Sequence, residues 1–184
     1  MSNWKEEIVS WGKAVGIAVI IAVVVRNLIF APYIVKGESM LPTLQNDNRL
    51  IVSKFSKWEG YKHFDIIVFN APDSKEKYIK RIIGLPGDTV EMKHDTLYIN
   101  GKAYNEPYLK TWKEKNETEG LVTGDFTLQE ITNKKVIPKG YVFVLGDNRL
   151  VSKDSRYFGL VPMKDIVGKA VLRIWPVDEA GLVK

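Results

Sequence analysis

Cysteine is absent from the 184-residue chain, and histidine occurs only at His63 and His94. The first absence excludes disulfide scaffolds, thiol nucleophiles and thiolate-bound zinc or iron–sulfur clusters, and two separate histidines do not make a metal centre. No metal and no cofactor is therefore expected, and any catalysis must run on hydroxyls, carboxylates or amines. Internal repeats and low-complexity tracts are also missing. Neither sign of charge dominates. Lys and Arg number 27 against 22 Asp and Glu, and the resulting +5 is interspersed along the chain as on an ordinary solvated surface. It permits attraction to anionic lipid or nucleic acid but requires neither, and no nucleic-acid partner is expected.

What the chain does have is one concentrated apolar run. Ala14 to Val25 is 12 residues without a polar side chain, followed by Arg26, Asn27 and four more apolar residues to Ala31. As a helix the run alone covers ~18 Å, the length of a core helix or a signal-peptide segment, whereas residues 14–31 cover ~27 Å, close to a hydrocarbon core. The flanks separate these readings. Cleavage after Ala31 would place Ile29 at −3 and Pro32 at +1, which does not suit a removed leader. A buried soluble helix carries a polar stripe, and none lies between Lys13 and Arg26. A single transmembrane anchor over 14–31 is therefore expected, preceded by a short segment 1–13, with Arg26 snorkelling to an interface. The positively charged flanks do not choose its orientation.

Beyond Pro32 short β-branched and aromatic runs alternate with Gly, Pro, Asn and Asp, the pattern of an antiparallel β domain over 32–184. The spacing predicts strands at Arg49–Phe55, Asp65–Phe69, Tyr78–Ile83, Thr89–Met92, Thr96–Ile99, Tyr141–Leu145 and Val167–Trp175. Asn100-Gly101 between TLYI and KAY supplies the two positive-φ positions of a type I′ hairpin. Residues 105–135 are polar and weakly patterned, with one short strand expected at Asp125–Leu128 and no assignable function.

Three segments carry groups suited to chemistry. In VKGESMLPT, Ser39 lies two residues after Gly37 and three before Pro42, in a constrained turn that can present a hydroxyl and leave backbone N–H groups free. In YIKRIIGLPGD, alternation puts Lys80 and Arg81 on opposite, largely apolar faces of one strand. A desolvated lysine loses its proton easily and can act as a base; an arginine cannot. Alternation does not say which of the two is inside. The third segment, GDNRLVSKDSRYFG, follows an apolar strand and is dense in groups that hydrogen-bond to one another and to backbone.

Together, and in this order, the anchor, GESMLPT, DIIVF, KRIIGLPGD, GDNR with SKDSRYFG, and VGKAVLRIWP resemble the bacterial type I signal peptidase family over nearly the whole chain. The resemblance implies a mainly β catalytic domain on the extracytoplasmic face of the cell membrane, held by a single N-terminal transmembrane helix with residues 1–13 in the cytoplasm. It implies a serine endopeptidase that cuts signal peptides from secretory preproteins after small-x-small sites. Ser39 then corresponds to the nucleophile and Lys80 to the general base. Ser152 corresponds to the serine that orients the lysine amine, Asp154 and Arg156 to a supporting ion pair, and Asp147 to a member of the same motif. Two positions depart from the family pattern. Gly37 stands where some members have a hydroxyl donor to the oxyanion, so backbone N–H groups of Ser39 and the Gly37 turn are expected to serve. Leu150 and Val151 replace residues that are commonly polar. Alternatives fit less well: a Ser-His-Asp site would need His63 or His94, both in surface-type contexts, and a DNA-linked self-cleaving domain would need a helix-turn-helix.

Overall fold

The computed structural model describes residues 4–116 and 122–183. The chain opens with helix α1 (Trp4–Ile29), which hands over directly to strand β1 (Phe30–Ile34). Apart from Lys5 and Glu6, the described side chains of α1 run to Val23, and those of Val24–Ile29, Arg26 included, lie outside the described residues. Ile8, Val9, Trp11, Val15, Ile17, Val19, Ile20, Ile21 and Val23 are all exposed. Among the described residues no helix is long and apolar enough to cross a membrane. Phe30 and Ala31, expected at the end of the anchor, are instead the first residues of β1. Pro32 hid this strand from pattern reading, and it is tolerated there because β1 is an edge strand.

The remaining strands and α-helices of the described residues are β2 (Arg49–Ser53), α2 (Ser56–Glu59), β3 (Ile66–Asn70), β4 (Lys77–Gly84), β5 (Val90–Lys93), β6 (Thr96–Ile99) and β7 (Lys102–Tyr104). They are followed by α3 (Lys110–Asn116), β8 (Phe126–Thr127), α4 (Leu128–Thr132), β9 (Tyr141–Leu145), α5 (Ser155–Phe158), β10 (Val161–Pro162), β11 (Ile166–Trp175) and β12 (Gly181–Leu182). The larger sheet runs β1-β2-β11-β3-β4-β9-β10, with β12 added on β11, and the smaller runs β7-β6-β5-β8. Every pairing is antiparallel, as the alternating texture predicts. The Asn100-Gly101 turn has φ of 54° and 74°, the two left-handed residues a type I′ hairpin needs, and seats Ile99 opposite Lys102. Strand β2 stops at Ser53, two residues short of expectation, because the Ser56 hydroxyl bonds the Ser53 carbonyl and starts α2.

Strand β4 positions the chemistry. It is central, between β3 and β9, and both its faces are covered: Ile66, Val68 and Ile79 pack with Val35, Met40 and Leu44, while Ile67, Phe69 and Ile82 pack with Val142, Val144 and Val161. Strands buried on both faces are normally continuous apolar runs. Here two cations interrupt the run, and both are inside: Lys80 is 4% exposed and Arg81 1%.

Candidate active site

The β1–β2 connection carries Ser39. Val35, Met40 and Leu44 are almost fully buried and pin the connection to the sheet, while Gly37 between them takes φ +82°, a conformation that strains any side chain. The intervening turn therefore projects Ser39 away from the core. Across from it Lys80 reaches up from β4, and its Nζ lies 2.7 Å from Ser39 Oγ. Burial pushes the Lys80 amine down from 10.5 to about 8, against the opposing pull of Asp154 and Asp147. A hydroxyl thus contacts an amine that gives up its proton near neutrality, which is the arrangement of a nucleophile with its base.

The pair sits at the head of a cleft of about 720 Å³. One wall is residues 32–34 and 36–39, the other residues 75–80, with Val151 and Lys153 at the rim. Both walls are strand edges. Among the described residues β1 pairs with β2 alone, and Lys77–Lys80 pair with β3 alone because β9 reaches only Arg81–Gly84. The Tyr33 hydroxyl ties the walls together by donating to the Lys77 carbonyl at 2.9 Å.

Arg81 points to the opposite face and has a different environment. Its Nε and Nη2 grip Asp147 bidentately at 2.9 and 2.7 Å, its Nη1 donates to the Phe64 carbonyl at 3.0 Å, and Thr43 Oγ1 completes the shell by donating to Asp147. Asp147 is therefore committed to Arg81, and its effect on Lys80 is through space. Asp154 caps α5: it accepts from the Arg156 backbone at 3.2 Å and from Arg156 Nε at 2.8 Å, and it takes the Gly146 N–H at 3.0 Å. Asp154 and Arg156 thus form an ion pair at the start of α5. Gly146 lies so close to the nucleophile that a Cβ there would overlap the Ser39 carbonyl oxygen and Ser152 Oγ. Asn148 then holds the Ser39 turn, its N–H donating to Ser39 O at 3.1 Å and its Nδ2 to Glu38 O at 3.2 Å.

Two expectations need correction. The Gly37 N–H donates to Asn46 Oδ1 at 2.9 Å, so it is spent on the turn and cannot serve an oxyanion. The Ser39 N–H, by contrast, finds no acceptor among the described residues. Ser152 makes no bond to Lys80: its Oγ is buried without a hydrogen-bond partner among the described residues. Leu150 and Val151 are solvent-facing, in keeping with their apolar substitution having little to disturb. His63 pairs with Asp88 at 2.7 Å, beside the GLPGD turn, and His94 occupies the β5–β6 turn at φ 46°. Sequence reasoning missed Asn46, Asn148, Thr43, Glu106 and Tyr108. Thr43 and Asn148 lie inside two of the segments singled out but carried no role of their own, and Asn46, Glu106 and Tyr108 stand in no pattern; only the need of Arg81 and Arg149 for buried partners could have pointed to some of them.

An antiparallel β scaffold with a serine hydroxyl against a desolvated amine defines the class, a β-rich serine hydrolase. Comparison with known proteins narrows it. Residues 8–175 match the family model described as signal peptidase, peptidase S26. The chain is 52% identical over 164 residues to signal peptidase I of Bacillus caldolyticus, covering 89% of each chain. It is 49% identical over 177 residues to signal peptidase I P of Bacillus subtilis subsp. natto, covering 95% of this chain and 92% of that one. A crystallised signal peptidase I from Enterococcus faecalis V583 superposes with a TM-score of 0.59 at 46% identity, over 61% of this chain and 97% of that one. The chain belongs to the signal peptidase family, peptidase S26, and is a serine protease.

Proposed function

We propose that the chain removes N-terminal signal peptides from exported preproteins, with Ser39 as nucleophile and neutral Lys80 as general base. The observation that carries this reading is the 2.7 Å contact between Ser39 Oγ and the buried Lys80 amine at the head of a strand-edged cleft. Lys80 takes the hydroxyl proton as Oγ attacks the scissile carbonyl, and the free Ser39 N–H receives the developing oxyanion. The Lys80 ammonium then protonates the leaving amine. After that, neutral Lys80 takes a proton from the water that hydrolyses the acyl-serine. Ser152 Oγ, buried beside Gly146 and unpartnered among the described residues, is the acceptor for the Lys80 ammonium after Oγ has attacked and before the leaving amine takes the proton. Asp154, Arg156, Asp147 and Gly37 hold the loops on either side.

The substrate binds as an extended segment between the open edges of β1 and Lys77–Lys80, where main-chain bonds give affinity and shallow pockets select small residues before the cut. α1 serves as a single-pass anchor in the cell membrane, with the catalytic domain outside. Its exposed apolar side chains and the 12-residue run from Ala14 to Val25 support this, as does membrane association in the signal peptidase I family. Phe30 follows α1 without a linker, so Ser39 is held near the bilayer surface, which raises the effective substrate concentration. Purified full-length chain in detergent should cut a preprotein after a small-x-small site, and Ser39→Ala and Lys80→Ala should each abolish cutting. Full cleavage by the Ser39→Ala protein would sink the reading.

A further inference from the structure

Between β7 and α3 the chain passes through residues 105–109, a stretch without any motif, and there it buries a carboxylate. Glu106 is 5% exposed. It ion-pairs with Arg149, itself almost fully buried, and accepts the Tyr108 hydroxyl at 2.7 Å. Arg149 uses its remaining Nε to hold the Gly146 carbonyl at 3.0 Å. Gly146 packs directly on the Ser39 carbonyl, and Asn148 two residues on bonds that same oxygen. Buried hydrogen bonds thus connect Glu106 to Gly146, and the packing of Gly146 on Ser39 together with the Asn148 N–H carries the connection on to the nucleophile. Tyr108 adds a second connection, since its ring lies 3.8 Å beneath the Arg81 guanidinium that grips Asp147. Neither Glu106 nor Tyr108 lines the cleft.

We propose that Glu106, backed by Tyr108, is a positioning residue for the Ser39–Lys80 pair and acts through Arg149 and the loop 146–148; the inference rests on the roles of Ser39 and Lys80 given above. Without the Glu106 charge, Arg149 is a buried cation with no counter-ion. It turns toward water, the Gly146 carbonyl loses its donor, and the loop that fixes Ser39 relaxes. Displacements of this kind act on the chemical step more than on binding, because neither Glu106 nor Tyr108 lines the cleft and its strand edges at residues 32–34 and 77–79 are held by β2 and β3.

The test uses full-length protein in detergent with a preprotein substrate, comparing wild type, Glu106→Gln, Tyr108→Phe and the neutral pair Glu106→Gln with Arg149→Met. Glu106→Gln should lower kcat by about tenfold or more, with KM within about twofold. Amides 146–149 should exchange hydrogen faster than in wild type while β3 stays protected, and Tyr108→Phe should shift both readouts the same way by less. In the double variant urea resistance should return but kcat should not, because Gly146 O still lacks its donor. A kcat for folded Glu106→Gln equal to wild type, or a kcat that recovers with stability in the double variant, would overturn the inference. Should wild type cleave nothing, the peptidase reading fails by itself, and unchanged exchange at 146–149 in Glu106→Gln would still refute the connection.

Discussion

Activity should titrate with Lys80. If the amine must be neutral to accept the Ser39 proton and loses its own at about 8, kcat/KM has an acidic limb centred there. The neutral fraction is about 9% at pH 7, ~50% at pH 8 and ~90% at pH 9, so kcat/KM should rise roughly tenfold between pH 7 and 9 and then level. An ordinary lysine would be neutral to only ~0.03% at pH 7, and the rate would still climb about tenfold per unit at pH 9. Stability gives an independent measure of the same shift. The folded state binds this proton less tightly than the unfolded state, so the unfolded chain holds more protons between the folded value of about 8 and the ordinary 10.5. Stability therefore rises with pH across that window. Below it, where both states are protonated, the folded state bears the full cost of the buried charge, ~3 kcal/mol for a displacement of this size. Lys80→Met removes that cost: the variant should be inactive yet resist urea better than wild type at pH 7, with the difference closing toward pH 10.5. Cleavage rates and urea midpoints at pH 7, 8, 9 and 10 provide both tests. A limb near 10.5, or a Lys80→Met protein less stable than wild type at pH 7, would refute the desolvated base.

Arg81→Met should destabilise the domain by about 3–5 kcal/mol, because it leaves Asp147 ionised and buried, and Arg81→Met with Asp147→Leu should recover most of this in urea titrations. Gly146→Ala forces a methyl against the Ser39 carbonyl and Ser152 Oγ; a loss of ~1–3 kcal/mol and a larger proportional loss of kcat are expected, read by thermal melts and steady-state kinetics. Ser152→Ala removes a buried hydroxyl that has no partner among the described residues, so stability should change by less than about 1 kcal/mol while kcat falls, the signature of a group used only during turnover. Unaltered kcat would remove Ser152 from the mechanism.

Local chemistry wrote much of this molecule legibly. Thr96–Ile99 and Tyr141–Leu145 are strands over the expected residues, and the Asn100-Gly101 hairpin follows from backbone sterics alone. What stayed hidden depends on partners far away in sequence. Strand β1 contains a proline and follows an apolar helix, so only its pairing with β2 reveals it. The commitment of the Gly37 N–H turns on Asn46 folding back across the loop, and the place of residues 105–109 turns on Glu106 meeting Arg149, 43 positions later. Periodicity describes a face; it does not say what will cover it.

Lys80 and Arg81 show why that distinction decides the chemistry. Period-2 alternation separates them onto two faces and leaves one cation inside and one outside as the economical expectation. The fold defeats this by placing β4 centrally, between β3 and β9, where apolar clusters pack on both faces of the sheet, so both charges must be accommodated away from water. They are accommodated in opposite ways because their side chains differ. The guanidinium keeps its charge under any protein conditions, and it can be buried only with a dedicated anion, which Asp147 supplies bidentately. Among the described residues the amine meets no carboxylate at hydrogen-bonding distance. Its neighbour is the Ser39 hydroxyl, and the nearby Asp147 and Asp154 are occupied by Arg81 and Arg156, so burial outweighs their pull and the proton is weakly held. The arginines thus do more than brace two loops. By engaging the two carboxylates that would otherwise pair with Lys80, they leave it without a counter-ion, and that lack is what makes a lysine basic enough in its neutral form and available enough at moderate pH to activate a serine.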